Sequence, residues 1–134
     1  MAGKLSLLLL AVLLGVSGVA VAAARDDTYA LPSSGWEPGD GVRPAGYGGE
    51  FHAERVGDTA CGWLGDRRDP ILWPKGWRVA FNPTRLLDAN GDTFALDGEY
   101  IQGAGWLVSP QMALKACGGD PRETRMVAEL QKGS

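Results

Sequence analysis

The chain has 134 residues, with 13 Lys+Arg against 16 Asp+Glu, two cysteines and five tryptophans. A formal charge of −3 supplies no net basic face, so nucleic acid is not an expected partner. The size admits one domain, and after the first 24 residues no apolar run is long enough for a membrane span.

The chain opens with Lys4, then the apolar run Leu5–Leu14, then GVSGVAVAAA ending at Ala24, before the charges of Arg25, Asp26 and Asp27. A basic start, an apolar middle and small residues before a polar break predict a secretory signal peptide over residues 1–24. Ala22-Ala23-Ala24 places the cleavage after Ala24. Leu5–Ala24 also approaches the ~20 residues that a membrane anchor needs, but Gly15, Gly18 and the alanine-rich end favour cleavage. The segment contains no cysteine that could carry a lipid at the new N-terminus. Loss of Lys4 leaves 12 Lys+Arg against 16 Asp+Glu, a formal charge of −4. The expected location is secreted or in the cell envelope. In such an oxidising space Cys61 and Cys117 are expected to form one disulfide. They do not form a C-x-x-C pair and supply too few soft ligands for zinc.

Residues 25–48 hold Pro32, Pro38 and Pro44 among five glycines and keep neither a period of 2 nor of 3.6. They read as a flexible arm, with Trp36 packing onto the domain, and the β domain proper is expected over residues 49–134. Glu50–Val56 and Thr59–Leu64 alternate as strands around a Gly57-Asp58 turn, with Cys61 and Trp63 on one face. Ile71-Leu72-Trp73 is a short run that Pro74 interrupts. Trp77, Val79 and Phe81 then share a face. Arg85–Asp88 and Thr93–Leu96 flank Asn90-Gly91, a strong hairpin signal. After a turn at Asp97-Gly98, further strands are expected over 99–102, 106–108 and 124–131, while Pro110–Ala116 reads as one helical turn or a loop. Many short strands at close spacing predict an all-β barrel or small sandwich.

The ordered pattern Gly49…Cys61, Trp73-Pro74-x-Gly76, Leu87-Asp88-x-x-Gly91 and Ala95-x-x-Gly98, then a second cysteine and a final strand, resembles small secreted and lipid-anchored actinobacterial proteins of unassigned role. The resemblance covers about residues 49–131. Gly103-Ala104-Gly105 departs from the Gly-Gly of that pattern. It implies a compact five-stranded barrel similar to oligonucleotide/oligosaccharide-binding folds, and it implies no activity.

Four tryptophans of the domain could form a stacking platform for sugar rings. Trp63 and Trp106 read as core from their apolar neighbours, whereas Trp73 and Trp77 flank the Pro74-Lys75-Gly76 turn and are the candidates for ligand stacking. Asp88, Asn90, Asp92 and Glu99 have the spacing of a calcium loop, but Thr93 stands where its sharp turn needs glycine, and a hairpin turn explains the same residues. His52, Asp97 and Glu99 are the only candidates for a small hydrolase site, which would need a nucleophile that no motif supplies. The expectation is therefore a non-enzymatic binding or structural module without cofactor, acting on an envelope ligand or protein. A small hydrolase or a protein-contacting inhibitor domain is the alternative.

Overall fold

A computed structural model of the chain describes residues 27–43, 45–108, 117–118 and 121–133. Residues 1–24, expected to be a signal peptide, and the turn or loop read over Pro110–Ala116 lie outside the described residues. Among the described residues the architecture is all-β, with nine strands: β1 (Thr28–Ala30), β2 (Gly46–Val56), β3 (Thr59–Leu64), β4 (Ile71–Leu72), β5 (Arg78–Ala80), β6 (Arg85–Leu87), β7 (Thr93–Leu96), β8 (Tyr100–Leu107) and β9 (Arg125–Lys132). One 3-10 turn, Pro121–Glu123, precedes β9, and no α-helix occurs among the described residues.

The strands are hydrogen-bonded in the order β4-β9-β8-β2-β3-β1-β5-β6-β7. This differs from a closed set of five strands. The cause is local punctuation. Pro70 and Pro74 confine β4 to two residues, Asn82-Pro83 lies in the turn after β5, and Asp97-Gly98 separates β7 from β8. The hairpins foreseen at Gly57-Asp58 and Asn90-Gly91 join β2 to β3 and β6 to β7.

The longest strand, β2, positions everything else. Its first half pairs with β8, from Gly46↔Ala104 to Glu50↔Tyr100. Its second half pairs with β3, from Phe51↔Leu64 to Val56↔Thr59. At the handover the backbones come so close that a Cβ on Gly49 would lie 2.5 Å from Gly65 N, which explains the glycine. Phe51, Ile71, Trp73, Val79, Leu86, Ile101 and Val127 are fully buried in one cluster. Since Ile71 comes from β4 and Leu86 from β6, near opposite ends of the strand order, the sheet curls around a single core.

Residues 25–48 were expected to form a flexible arm with Trp36 packing onto the domain; where described, they contribute a strand to the sheet as well as that packing. β1 lies between β3 and β5, antiparallel to β5 through Thr28↔Ala80, Tyr29↔Val79 and Ala30↔Arg78. Leu31 and Trp36 are buried at 5% and 8% exposure. The physical reason lies in the Ile71–Trp77 segment, whose peptide groups lack a full strand partner on one side and must still be satisfied. The arm supplies the partners. Trp73 N–H donates to Pro32 O at 2.8 Å, Ser34 N–H to Trp73 O at 3.0 Å, Lys75 N–H to Trp36 O at 2.9 Å and Leu31 N–H to Trp77 O at 3.3 Å. The packed domain thus starts at Thr28, not at Gly49. The disulfide Cys61–Cys117 is formed, with Cα atoms 5.6 Å apart, and closes a sequence separation of 56 residues.

Candidate functional site

The same arm decides the fate of the two tryptophans expected to stack on ligand. Trp73 is 0% exposed and belongs to the core. Its ring meets Phe51 edge-on at 6.0 Å between centroids, and its indole Nε1–H donates to Gly62 O at 3.4 Å. It is not available to a ligand, which corrects the expectation drawn from the flanking turn. Trp77 is half-buried, stacked on Trp73 at 6.4 Å and edge-on to Phe94 at 5.0 Å. Trp63, expected as core, is half-buried and packs against the core cluster, with the Arg68 guanidinium 4.2 Å above its ring.

Trp77 does reach a cavity. With Trp36, Pro38, Pro74 and Leu130 it lines an apolar pocket of about 310 Å³. Trp36 is held there by its indole N–H, which donates to Gly41 O at 3.3 Å, and by its backbone N–H, which donates to Ser34 Oγ at 3.1 Å. Lys75, at the rim, forms an ion pair with Glu37 at 3.4 Å. The pocket exists because the arm lays Trp36 and Pro38 against the Pro74–Trp77 turn.

A second, broader groove of about 580 Å³ runs over β2, β8 and β9, lined by Gly46, Gly48, Tyr100, Gln102, Glu129 and Gln131 among others. Gln102 and Gln131 are cross-strand neighbours, so their amides project side by side. Tyr100 is 46% exposed, and glycines make room for it: a Cβ on Gly48 would lie 3.0 Å from its hydroxyl, and one on Gly133 would collide with its ring. Tyr47, at the groove's edge, packs under the Arg125 guanidinium at 4.8 Å. Burial, and secondarily the Asp69 charge, raises the pKa of its phenol against the opposing pull of Arg125 and Arg67. Glu129 borders both the groove and the Trp77 pocket. Sequence reasoning did not single out Trp36 as a cavity wall, nor Tyr100, Gln102, Glu129 and Gln131 at all. The alternation of Tyr100 and Gln102 about buried Ile101 was the available signal, since it leaves one face of β8 polar.

The four residues with calcium-loop spacing do not gather as a ligand set. Asp88 Oδ1 accepts hydrogen bonds from Asn90 N–H at 2.9 Å and Asp92 N–H at 3.1 Å, which is the chemistry of a hairpin turn. Glu99 is engaged elsewhere: its Oε1 accepts from Leu96 N–H at 2.6 Å and its Oε2 lies 3.3 Å from Lys132 Nζ. Among the described residues no group of three or more His, Cys, Asp or Glu side chains could hold a metal ion.

Of the three groups considered for hydrolysis, two converge. The 97–99 turn docks on β2 through Gly98 N–H to Phe51 O at 2.8 Å and Phe51 N–H to Glu99 O at 2.9 Å. This brings His52 Nδ1 to 3.1 Å from Asp97 Oδ1. The pair is open to solvent, Glu99 is held apart by Leu96 and Lys132, and His52 forms no further hydrogen bond among the described residues. Among the described residues no hydroxyl or thiol is hydrogen-bonded to it.

The Leu96 N–H, and secondarily Lys132, lowers the pKa of the Glu99 carboxyl below its ordinary value of 4.5. A depressed carboxylate stabilises the fold above its unfolded pKa, and that contribution is lost as pH falls through the folded value. Glu99→Gln is therefore expected to lower the thermal midpoint near neutral pH. The difference from the native chain should shrink as pH is lowered from about 7 to about 3, read from paired melting curves across that range. A difference that stays constant or widens on acidification would contradict this assignment.

No protein-family model, no curated protein and no solved structure matches the chain.

Proposed function

We propose that the chain is a disulfide-closed binding module that works outside the cytoplasm, without catalysis, and that its ligand seat is the Trp36–Trp77 pocket. The observation that carries this reading is the construction of the pocket itself. An otherwise Gly/Pro-rich segment is folded back by four backbone hydrogen bonds to the 73–77 turn, and this places two tryptophans and two prolines around one apolar cavity. Concave apolar sites with a few polar groups at the rim are where ligands bind. The disulfide, and the lack of a membrane-crossing helix among the described residues, accord with an extracytoplasmic location. The same reading includes a signal peptide removed after Ala24 and kinship with the small actinobacterial secreted proteins that the sequence pattern resembles. It also includes a barrel-like closure, supported by the way β2 passes from β8 to β3 around a shared core.

The test is co-sedimentation of the folded protein with purified cell-wall material from the cells that produce it. The native chain is expected to sediment, and Trp77→Ala to lose retention about tenfold through the loss of aromatic contact. Because Trp77 also touches Trp73, the exposed Pro38→Asp serves as the second variant; it puts a charge at the pocket mouth while leaving the core intact. Retention that neither substitution reduces would refute the assignment.

A further inference from the structure

The two cavities are joined by a residue whose backbone is strained. Between the pairs Gln102↔Gln131 and Ala104↔Ala128 the β8–β9 register shifts, so that Glu129 and Leu130 together oppose Gly103. This is a β-bulge, and it sends one bulged side chain to each cavity edge: Leu130 lines the apolar pocket, while Glu129 borders both. Glu129 adopts φ of 50°, in the left-handed region that a non-glycine side chain enters at a cost. Gly103 is what allows it, since a Cβ there would lie 2.6 Å from Ala128 O and 3.0 Å from Glu129 O. Strain of this kind persists where the surrounding structure over-determines it, and here its consequence is a carboxylate set at the waist between the two cavities.

The lining then specifies a chemistry. Gln102 and Gln131 each offer an amide donor and an acceptor, Tyr100 a phenol, and Glu129 an acceptor-only carboxylate that makes no hydrogen bond or ion pair among the described residues. Among the described residues Lys75 is the only cation lining either cavity, and it is paired with Glu37 at 3.4 Å. A ligand that suits this surface presents many hydroxyl groups, carries no negative charge, and has an apolar face for Trp36, Trp77 and Leu130. From this, resting on the Trp36–Trp77 seat, we infer that the ligand is a neutral oligosaccharide. One ring lies against the tryptophans, and the following units run along the β2–β8–β9 groove, with Glu129 accepting hydroxyl hydrogen bonds at the junction.

The experiment is isothermal titration of the disulfide-intact protein with three neutral hexasaccharides, β-1,4-linked glucose, β-1,4-linked N-acetylglucosamine and α-1,4-linked glucose, and with a β-1,4-linked hexauronate. At least one neutral hexasaccharide is expected to bind, with the uronate weaker by about tenfold or more, because Glu129 repels it. Glu129→Ala and the pair Gln102→Ala/Gln131→Ala are each expected to weaken the neutral ligand by about tenfold or more through lost hydrogen bonds. Glu129→Gly separates folding from binding: it relieves the strained backbone, so the melting midpoint should rise while the affinity falls. If no neutral hexasaccharide binds, yet cell-wall retention still depends on Trp77 and Pro38, the saccharide inference is wrong and the pocket assignment stands. If retention too is insensitive to those residues, both fall. A neutral hexasaccharide whose affinity survives Glu129→Gly would likewise overturn the role given to Glu129, and a uronate that binds best would overturn the charge argument.

Discussion

Trp73→Ala is expected to remove about 3–5 kcal/mol of folding stability, the range for truncating a fully buried tryptophan. The side chain is completely enclosed and touches the core from both sides, through the Phe51 edge at 6.0 Å and the stacked Trp77 at 6.4 Å. Its removal leaves a void in a small β domain and strips Gly62 O of its indole donor. The site has little room to collapse, because the backbone of Trp73 is pinned on the arm side by Pro32 O and Ser34 N. The fit is also tight in the other direction. A Cβ on Gly62 would lie 3.0 Å from Trp73 Cζ2, so Gly62→Ala should destabilise as well, by the roughly 1–3 kcal/mol of overpacking. Urea unfolding of the variants provides the check: the midpoint of Trp73→Ala should fall steeply at an unchanged slope. A loss under about 1 kcal/mol would mean that Trp73 is not enclosed as described.

Removing the disulfide by Cys61→Ala together with Cys117→Ala should cost about 4 kcal/mol, since the bond closes a separation of 56 residues and the chain-entropy relation grows only slowly with loop size. Cys61 lies on β3 at 2% exposure, so the bond fastens a central strand to the segment that leads into β9. Alanine keeps each Cβ and loses only the sulfur, so the void left is small and the effect falls chiefly on the unfolded chain. For a domain of this size, whose total stability lies within about 5–15 kcal/mol, the loss is a large share. Reduction of the native protein should give the same shift of the urea midpoint as the double substitution. Two shifts that differ widely, or a double variant as stable as the native chain, would show that the bond contributes by another route.

How much of this was legible in the sequence varies with the range of the interaction. Gly57-Asp58, Asn90-Gly91 and Asp97-Gly98 marked their turns correctly, because a tight turn is decided by the backbone preferences of two residues. The Cys61–Cys117 bond followed from the number of cysteines and the compartment that the N-terminal segment implies. Asp88 and Asn90 read rightly as turn residues, since an aspartate that accepts from the N–H groups just after it is a local event. Trp73 was misread for the opposite reason. Its neighbours Pro74 and Gly76 signal an exposed turn, and nothing nearby in sequence shows that Pro32 and Ser34 will bond to it from about forty positions away. The Gly/Pro-rich composition of residues 25–48 describes a chain without internal periodicity, but it does not say whether another element will give that chain partners.

The candidate site shows the same division. Its aromatic content was visible, and Trp77 was named from its place beside the turn. Glu129 was not, since neither glycine nor asparagine announces the left-handed backbone there, and the strand pattern of β9 runs through it as if unbroken. By itself, the sequence determined the all-β class, the positions of the hairpins and the pairing of the cysteines, because each rests on short-range preference or on simple count. Only the tertiary structure decided that the arm becomes part of the sheet, that Trp73 is core and Trp77 a cavity wall, and that a bulge turns Glu129 toward two cavities. Those outcomes depend on which unsatisfied peptide groups meet across the curled sheet, and no local pattern encodes that meeting.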